Sequence, residues 1–193
     1  MAQVIFIGNE EQRLVKRLQN GDKAAAREFY ARYANSLAGV CMRYIADEED
    51  LKDVLQNALV HIFSHIAEFE YRGAGSLKAW AKRVVVNESL KFLRTNEHFD
   101  KLEEDYDVAD ESEDDVLSSS DIPPDAFRQM LSRMPTGYRT VLNLYVLEGK
   151  SHQEIASLLG IRKDTSASQL HKAKRMMAKM IKKYNDDNSH DNG

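Results

Sequence analysis

The chain has 193 residues, 27 Lys+Arg against 31 Asp+Glu, a formal charge of −4, one cysteine, and only 9 Gly and 3 Pro. So little Gly and Pro excludes loop-rich β, collagen-like and low-complexity architectures and points to an all-α chain, long enough for one mid-sized domain or two small ones. The lone Cys41 excludes an intramolecular disulfide, no Cys/His spacing suits a structural zinc, and no apolar run spans a bilayer, so a cytoplasmic protein without membrane insertion is expected.

The opening run 1–9 is apolar but short, without the basic start or small-residue cleavage site of a signal peptide. Helix formers over 11–18 predict a first helix. Phe29, Tyr33, Leu37 and Val40/Cys41 recur every three to four residues and predict a second over 23–44, with Cys41 as a small core residue. The clearest segment is 47–69, where Leu51, Val54, Leu55, Ala58, Leu59, Ile62, Phe63 and Ile66 make a continuous apolar stripe. Off that stripe lie Glu48, Glu49, Asp50, Asp53, Gln56 and Asn57. The macrodipole favours acid at any helix start, but Asp53 and Gln56 sit beyond the cap, where a basic partner can read them. His61 and His65, with Glu68 after them, make a weak metal pattern with no intervening Glu and no second cluster, so no metal or cofactor is expected.

A glycine-containing turn over 70–76 leads into a helix over 77–95, with Leu77, Trp80, Ala81, Val84, Val85, Leu90 and Leu93 on or near one face. Its other face is basic: Arg72, Lys78, Lys82, Arg83, Lys91 and Arg94 outnumber Glu70 and Glu88, with Tyr71 and Trp80 among them. Aromatics interleaved with cations suit a single nucleic-acid strand, because bases stack on rings while cations neutralise phosphates. Trp80 taken alone reads more readily as a core residue than as a stacking platform.

The segment 97–121 holds 12 acidic residues and one basic, Lys101, for a net −11, so the rest of the chain sums to +7. Its few large apolar residues, its Ser118-Ser119-Ser120 run and the Pro123-Pro124 stop predict an acidic flexible linker over 97–122 between two modules. Solubility and chain extension account for the acidity; masking of a basic surface is the sharper alternative. Beyond it, 122–184 carries 12 basic against 4 acidic residues, the footprint of a polyanion partner. Two supporting helices are expected over 127–134 and 138–147. Ser151-His-Gln-Glu154 matches a capping box, Ile155, Ala156, Leu158 and Leu159 give an apolar face, Gly160 makes a turn, and a second helix begins near Asp164. This helix-turn-helix places its second helix in a major groove. Ser166, Ser168, Gln169 and Lys172 are the expected base readers, with Gln169 suited to adenine, and Arg162, Lys163, Lys174 and Arg175 lie nearer the phosphates.

In combination these residues resemble the extracytoplasmic-function group of sigma-70 factors of bacterial RNA polymerase. Asp50-Leu-Lys-Asp-Val-Leu-Gln56 resembles the helix with which that family binds the coiled coil of the polymerase largest subunit, and 76–87 followed by Leu93-Arg94 resembles its minus-ten segment. Leu131–Pro135, Tyr138-Arg139, Leu144-Tyr145, Glu148-Gly149, 151–160 and 165–170 resemble its minus-thirty-five domain. The resemblance implies a region 2-like domain over 1–96, a region 4-like four-helix domain over 123–184 and a polar tail over 185–193. It implies core polymerase contacts at Asp50, Asp53, Gln56 and Asn57. Minus-ten contacts would come from Tyr71, Arg72, Ser76, Lys78, Trp80, Lys82, Arg83, Asn87, Lys91 and Arg94, and minus-thirty-five contacts from Arg139, Arg162, Lys163, Ser166, Ser168, Gln169, Lys172 and Arg175. A non-enzymatic initiation factor follows, with promoter DNA and core polymerase as partners and an anti-sigma factor fitting a two-module chain; no leftover apolar stripe demands self-association, so a monomer is expected when free. A helix-turn-helix regulator that binds an operator without polymerase is the alternative.

Overall fold

A computed structural model describes residues 2–95 and 122–189; the expected linker, apart from Ile122, lies outside the described residues. Those residues form eight α-helices with no strand among them, the all-α class expected. The chain divides after Phe92 into two compact units.

In the first unit α1 (Ala2–Gln19) packs on α2 (Lys23–Cys41), which packs on α3 (Glu48–His65). Leu14, Val15 and Leu18 of α1, Phe29, Tyr33 and Leu37 of α2, and Val54, Ala58 and Ile62 of α3 are buried, each large apolar side chain contributing about 1.5–3 kcal/mol. Phe29 sits at the centre, its ring 5.1 Å from Tyr33 and 5.5 Å from Phe63. Local chemistry sets the helix starts: Asp22 accepts from Ala24 N at 2.7 Å, and Asp47 accepts from Glu49 N and Asp50 N at 2.9 and 3.0 Å. The apolar stripe predicted a helix to residue 69. It instead tightens to a 3-10 turn at Ile66–Glu68, closed by Phe69 N donating to Ile66 O at 3.2 Å. A bend over 69–75 then leads into α4 (Ser76–Thr95), which buries Leu77, Ala81, Val84, Val85, Leu90 and Leu93.

In the second unit α5 (Pro124–Ser132), α6 (Thr136–Leu142) and α7 (His152–Leu159) all pack on the long α8 (Lys163–Ser189). The expected helix over 138–147 is interrupted. After Leu142 the chain widens into a π-helical turn, Asn143–Leu147, in which Glu148 N donates to Asn143 O at 3.1 Å. That change of period turns Tyr145, Val146 and Leu147 outward. Helix α8 runs beyond Tyr184 into the segment expected as a tail, where Asn188 Nδ2 donates to Tyr184 O at 2.7 Å. No helix among the described residues is long and apolar enough to cross a membrane.

Candidate nucleic-acid interface

The turn before α4 needs backbone that side chains resist: Gly73 and Gly75 take φ of 121° and 86°. Ser76 N donates to Gly73 O at 3.1 Å, Arg72 N donates to Ser76 Oγ at 3.3 Å, and Ala79 N donates to Gly75 O at 2.9 Å, which makes Gly75 the N-cap of α4. The cap is a glycine and has no side chain to satisfy the first amides. Those amides are met from α1. Glu11, 3% exposed, accepts from Gly75 N through one carboxylate oxygen and from Leu77 N through the other, both at 2.8 Å. On the far side of the turn, Gln19 Nε2 donates to Ile66 O at 3.2 Å and Phe69 O at 2.9 Å.

Between these anchored segments lies an open cavity of about 460 Å³, lined by Phe69, Arg72, Ser76, Trp80 and Arg83 with Glu68, Glu70 and Ala79. Trp80 is half-buried and its ring lies 5.0 Å from that of Phe69, so it is a wall of the cavity and not core. Arg72 reaches Glu70 at 3.2 Å. Tyr71 is partly buried beside the turn; burial first, then the Glu11 charge, raises the pKa of its phenol from the ordinary value. From the cavity, Arg83, Asn87, Lys91 and Arg94 continue as an exposed strip along one face of α4. Helical geometry sends Lys78 and Lys82 to another side of the helix, so they do not join that strip. Lys91 approaches Glu88 at 3.9 Å, while Glu88 also meets His61 Nδ1 at 3.0 Å. His65 Nδ1 turns back to His61 O at 2.9 Å, and among the described residues no three potential ligands gather around a metal position. Cys41 is buried 3.7 Å from Ser89 Oγ, and burial pushes its thiol up to about 11.

Asp53, Gln56 and Asn57 are exposed on α3, and Val60, 59% exposed, extends their face by one turn. Asp50 is half-buried at its start.

In the second unit the capping box forms as expected: Glu154 N donates to Ser151 Oγ at 3.3 Å and Ser151 N donates to Glu154 Oε2 at 2.9 Å. Gly160 ends α7 at φ 71°, and Ile161 N donates to Ala156 O at 3.1 Å. Three of the expected DNA contacts are corrected by burial. Ser166 is 0% exposed and is bonded to His152 Nδ1 at 3.0 Å; Gln169 is 3% exposed; Arg139 is 3% exposed, and its Nη1 donates to Ser132 O and Met134 O at 3.3 and 3.4 Å. None of them presents a side chain to a groove. They share the inner face of their helices: Ser166, Gln169, Leu170, Ala173, Met177 and Ile181 follow the core spacing of α8. Arg162, Lys163 and Ser168 are exposed and Lys172, Lys174 and Arg175 half-buried. Ala167 and His171 share the outer face with Ser168; the sequence reading missed His171, which helical spacing from Ser168 points out. Glu11, Gln19 and Phe69 were missed because their partners are distant in sequence.

Residues 29–99 match the family profile of Sigma-70 region 2 and residues 125–177 that of Sigma-70, region 4. The ECF RNA polymerase sigma-E factor of Haemophilus influenzae is 31% identical over 184 residues, which cover 89% of this chain and 95% of that protein. The RNA polymerase sigma-H factor of Pseudomonas aeruginosa is 26% identical over 184 residues, 89% of this chain and 94% of its own. The solved structure of CnrH in complex with the cytosolic domain of CnrY aligns with 88% of this chain and 95% of that one, at TM-score 0.46 and 18% identity.

Proposed function

The chain belongs to the sigma-70 family as an extracytoplasmic-function sigma factor, which directs transcription initiation by RNA polymerase, and from that membership we propose which of its surfaces meet polymerase and which meet promoter DNA. Operator binding without polymerase is set aside, because residues 29–99 match region 2 and the Haemophilus influenzae sigma-E factor matches over 89% of the chain.

The reading of the minus-ten surface rests on the cavity before α4. A volume of about 460 Å³ falls in the range of ligand pockets, roughly 300–1,000 Å³. Its aromatic wall, Phe69 and Trp80, offers a stacking surface, its edges carry Arg72 and Arg83, and the strip through Asn87 and Arg94 leads away from it. Taking one base out of the duplex costs a few kcal/mol, and stacking it on an aromatic ring returns about 1–3 kcal/mol. The non-template strand of the opened promoter therefore runs along α4 with one base in the cavity. The exposed face at Asp53, Gln56, Asn57 and Val60 is the core polymerase surface, where a basic coiled coil would lie. In the second unit, Arg162, Lys163 and Arg175 meet phosphates while Ser168, His171 and Lys172 face the minus-thirty-five bases. An anti-sigma partner would act by covering the first two surfaces.

Run-off transcription with core polymerase tests the assignment. Trp80→Ala is expected to lower open-complex formation by roughly 5- to 150-fold, the scale of one lost base stack, with core binding intact. Asp53→Ala/Gln56→Ala is expected to lose core binding instead. Full activity of Trp80→Ala would sink the pocket assignment, and unchanged core affinity of the double variant would sink the polymerase face.

A further inference from the structure

We infer that Glu11 is the positioning residue of the base-capture pocket: its buried carboxylate fixes the backbone at Gly75 and Leu77 so that Ser76, Trp80 and Arg83 face one cavity. The inference rests on the pocket reading above. Glu11 is 64 and 66 residues from its two partners and spends one oxygen on each amide, both at 2.8 Å. These amides begin α4, where no intrahelical carbonyl is available. A local cap would need a side chain at position 75, but that residue holds φ 86°, a conformation that favours glycine. The turn's own bonds, Ser76 N to Gly73 O and Arg72 N to Ser76 Oγ, leave the Gly75 and Leu77 amides to an acceptor from outside it. A carboxylate suits the task twice over, because it accepts both bonds and places negative charge at the positive end of the helix.

Gln19 completes the arrangement. It lies about 12 Å further along α1 and bonds the carbonyls of Ile66 and Phe69, at the opposite rim of the cavity. One helix thus sets the separation of the aromatic wall from the turn. Glu11 touches no nucleic acid in this arrangement; it acts through the backbone it holds.

Glu11→Gln is nearly isosteric but keeps a single acceptor, and its new amide donor confronts the second N–H. The full-length variant, bound to core polymerase, is titrated with a labelled single-stranded minus-ten oligonucleotide and with a minus-thirty-five duplex, beside Trp80→Ala and Arg83→Ala. Hydrogen exchange of the Gly75 and Leu77 amides is followed in parallel. The expected result is about tenfold weaker binding of the single strand, the scale of one lost charged hydrogen bond, with duplex and core affinities unchanged and exchange faster at those two amides. If Trp80→Ala and Arg83→Ala weaken strand binding and Glu11→Gln does not, the positioning role is overturned while the pocket stands. If none of the three weakens it, the pocket reading itself falls. Equal losses of strand, duplex and core binding would reduce Glu11 to a fold-stabilising residue and overturn the inference. Should Glu11→Gln not fold, Gln19→Met, which releases only the other rim, carries the same comparison.

Discussion

Gln169 packs a primary amide inside the second unit with neither Nε2 nor Oε1 bonded. An unpaired buried amide costs about 1–3 kcal/mol, so Gln169→Met, of similar length and without polar hydrogen-bonding groups, is expected to raise the melting temperature of the chain while leaving its base preference at the upstream element unchanged. A lower melting temperature would mean that the amide has a partner in solution. This is the reverse of what residue type alone suggests. Gln and Ser at the start of a recognition helix read as base contacts because their chemistry suits base edges. Their register with Leu170, Ala173 and Met177 decides otherwise, since those residues fix which side of α8 faces inward. The apolar core was legible for the same reason: Phe29, Leu37, Val54, Ile62 and Val85 lie at spacings that leave one face for them. Glu11 was not legible at all. A glutamate among helix formers looks like solvent-facing surface, and nothing near position 11 hints at two amides on another helix.

Helix α7 starts on a reciprocal cap and stops on a left-handed glycine, so both its ends were readable from local sequence. Ser151→Ala removes the acceptor for Glu154 N and is expected to cost about 1 kcal/mol of stability, read as a shift of the denaturation midpoint at unchanged slope. The same contacts carry a pH dependence. Hydrogen bonds from the Ser151 backbone and hydroxyl, then from Lys150, hold the Glu154 carboxyl below the ordinary range. A carboxyl lowered on folding contributes stability that is present above its unfolded pKa, about 4.3, and is lost as pH falls through the lower folded value. Glu154→Gln is expected to flatten that acid-side decline, and denaturation midpoints between pH 3 and 6, roughly bracketing the unfolded value, would reveal it. The element that resisted sequence reading is the π-helical turn at Asn143–Leu147. Its apolar spacing is compatible with an uninterrupted helix, and only the pairing of Glu148 N with Asn143 O records the extra residue.

Across the described residues charge is segregated: acid at the start of α3, base along α4 and at the start of α8. Contacts from the exposed Arg162 and Lys163 to phosphates would be sequence-independent and salt-sensitive. Arg162→Ala and Lys163→Ala are each expected to weaken binding equally on all upstream duplexes and to reduce the slope of log K against log salt by about 1. A variant that instead changed the preferred sequence would move that residue from the phosphates to the bases. The region 2 profile begins at residue 29, downstream of α1, yet α1 supplies Leu14, Val15 and Leu18 to the core and both tethers of the cavity. A fragment trimmed at that homology boundary would keep every residue named for the promoter strand in the first unit. It would keep them on a turn without the Glu11 bonds and above an uncovered apolar face, so the smallest piece of the chain expected to bind the strand reaches back past Glu11.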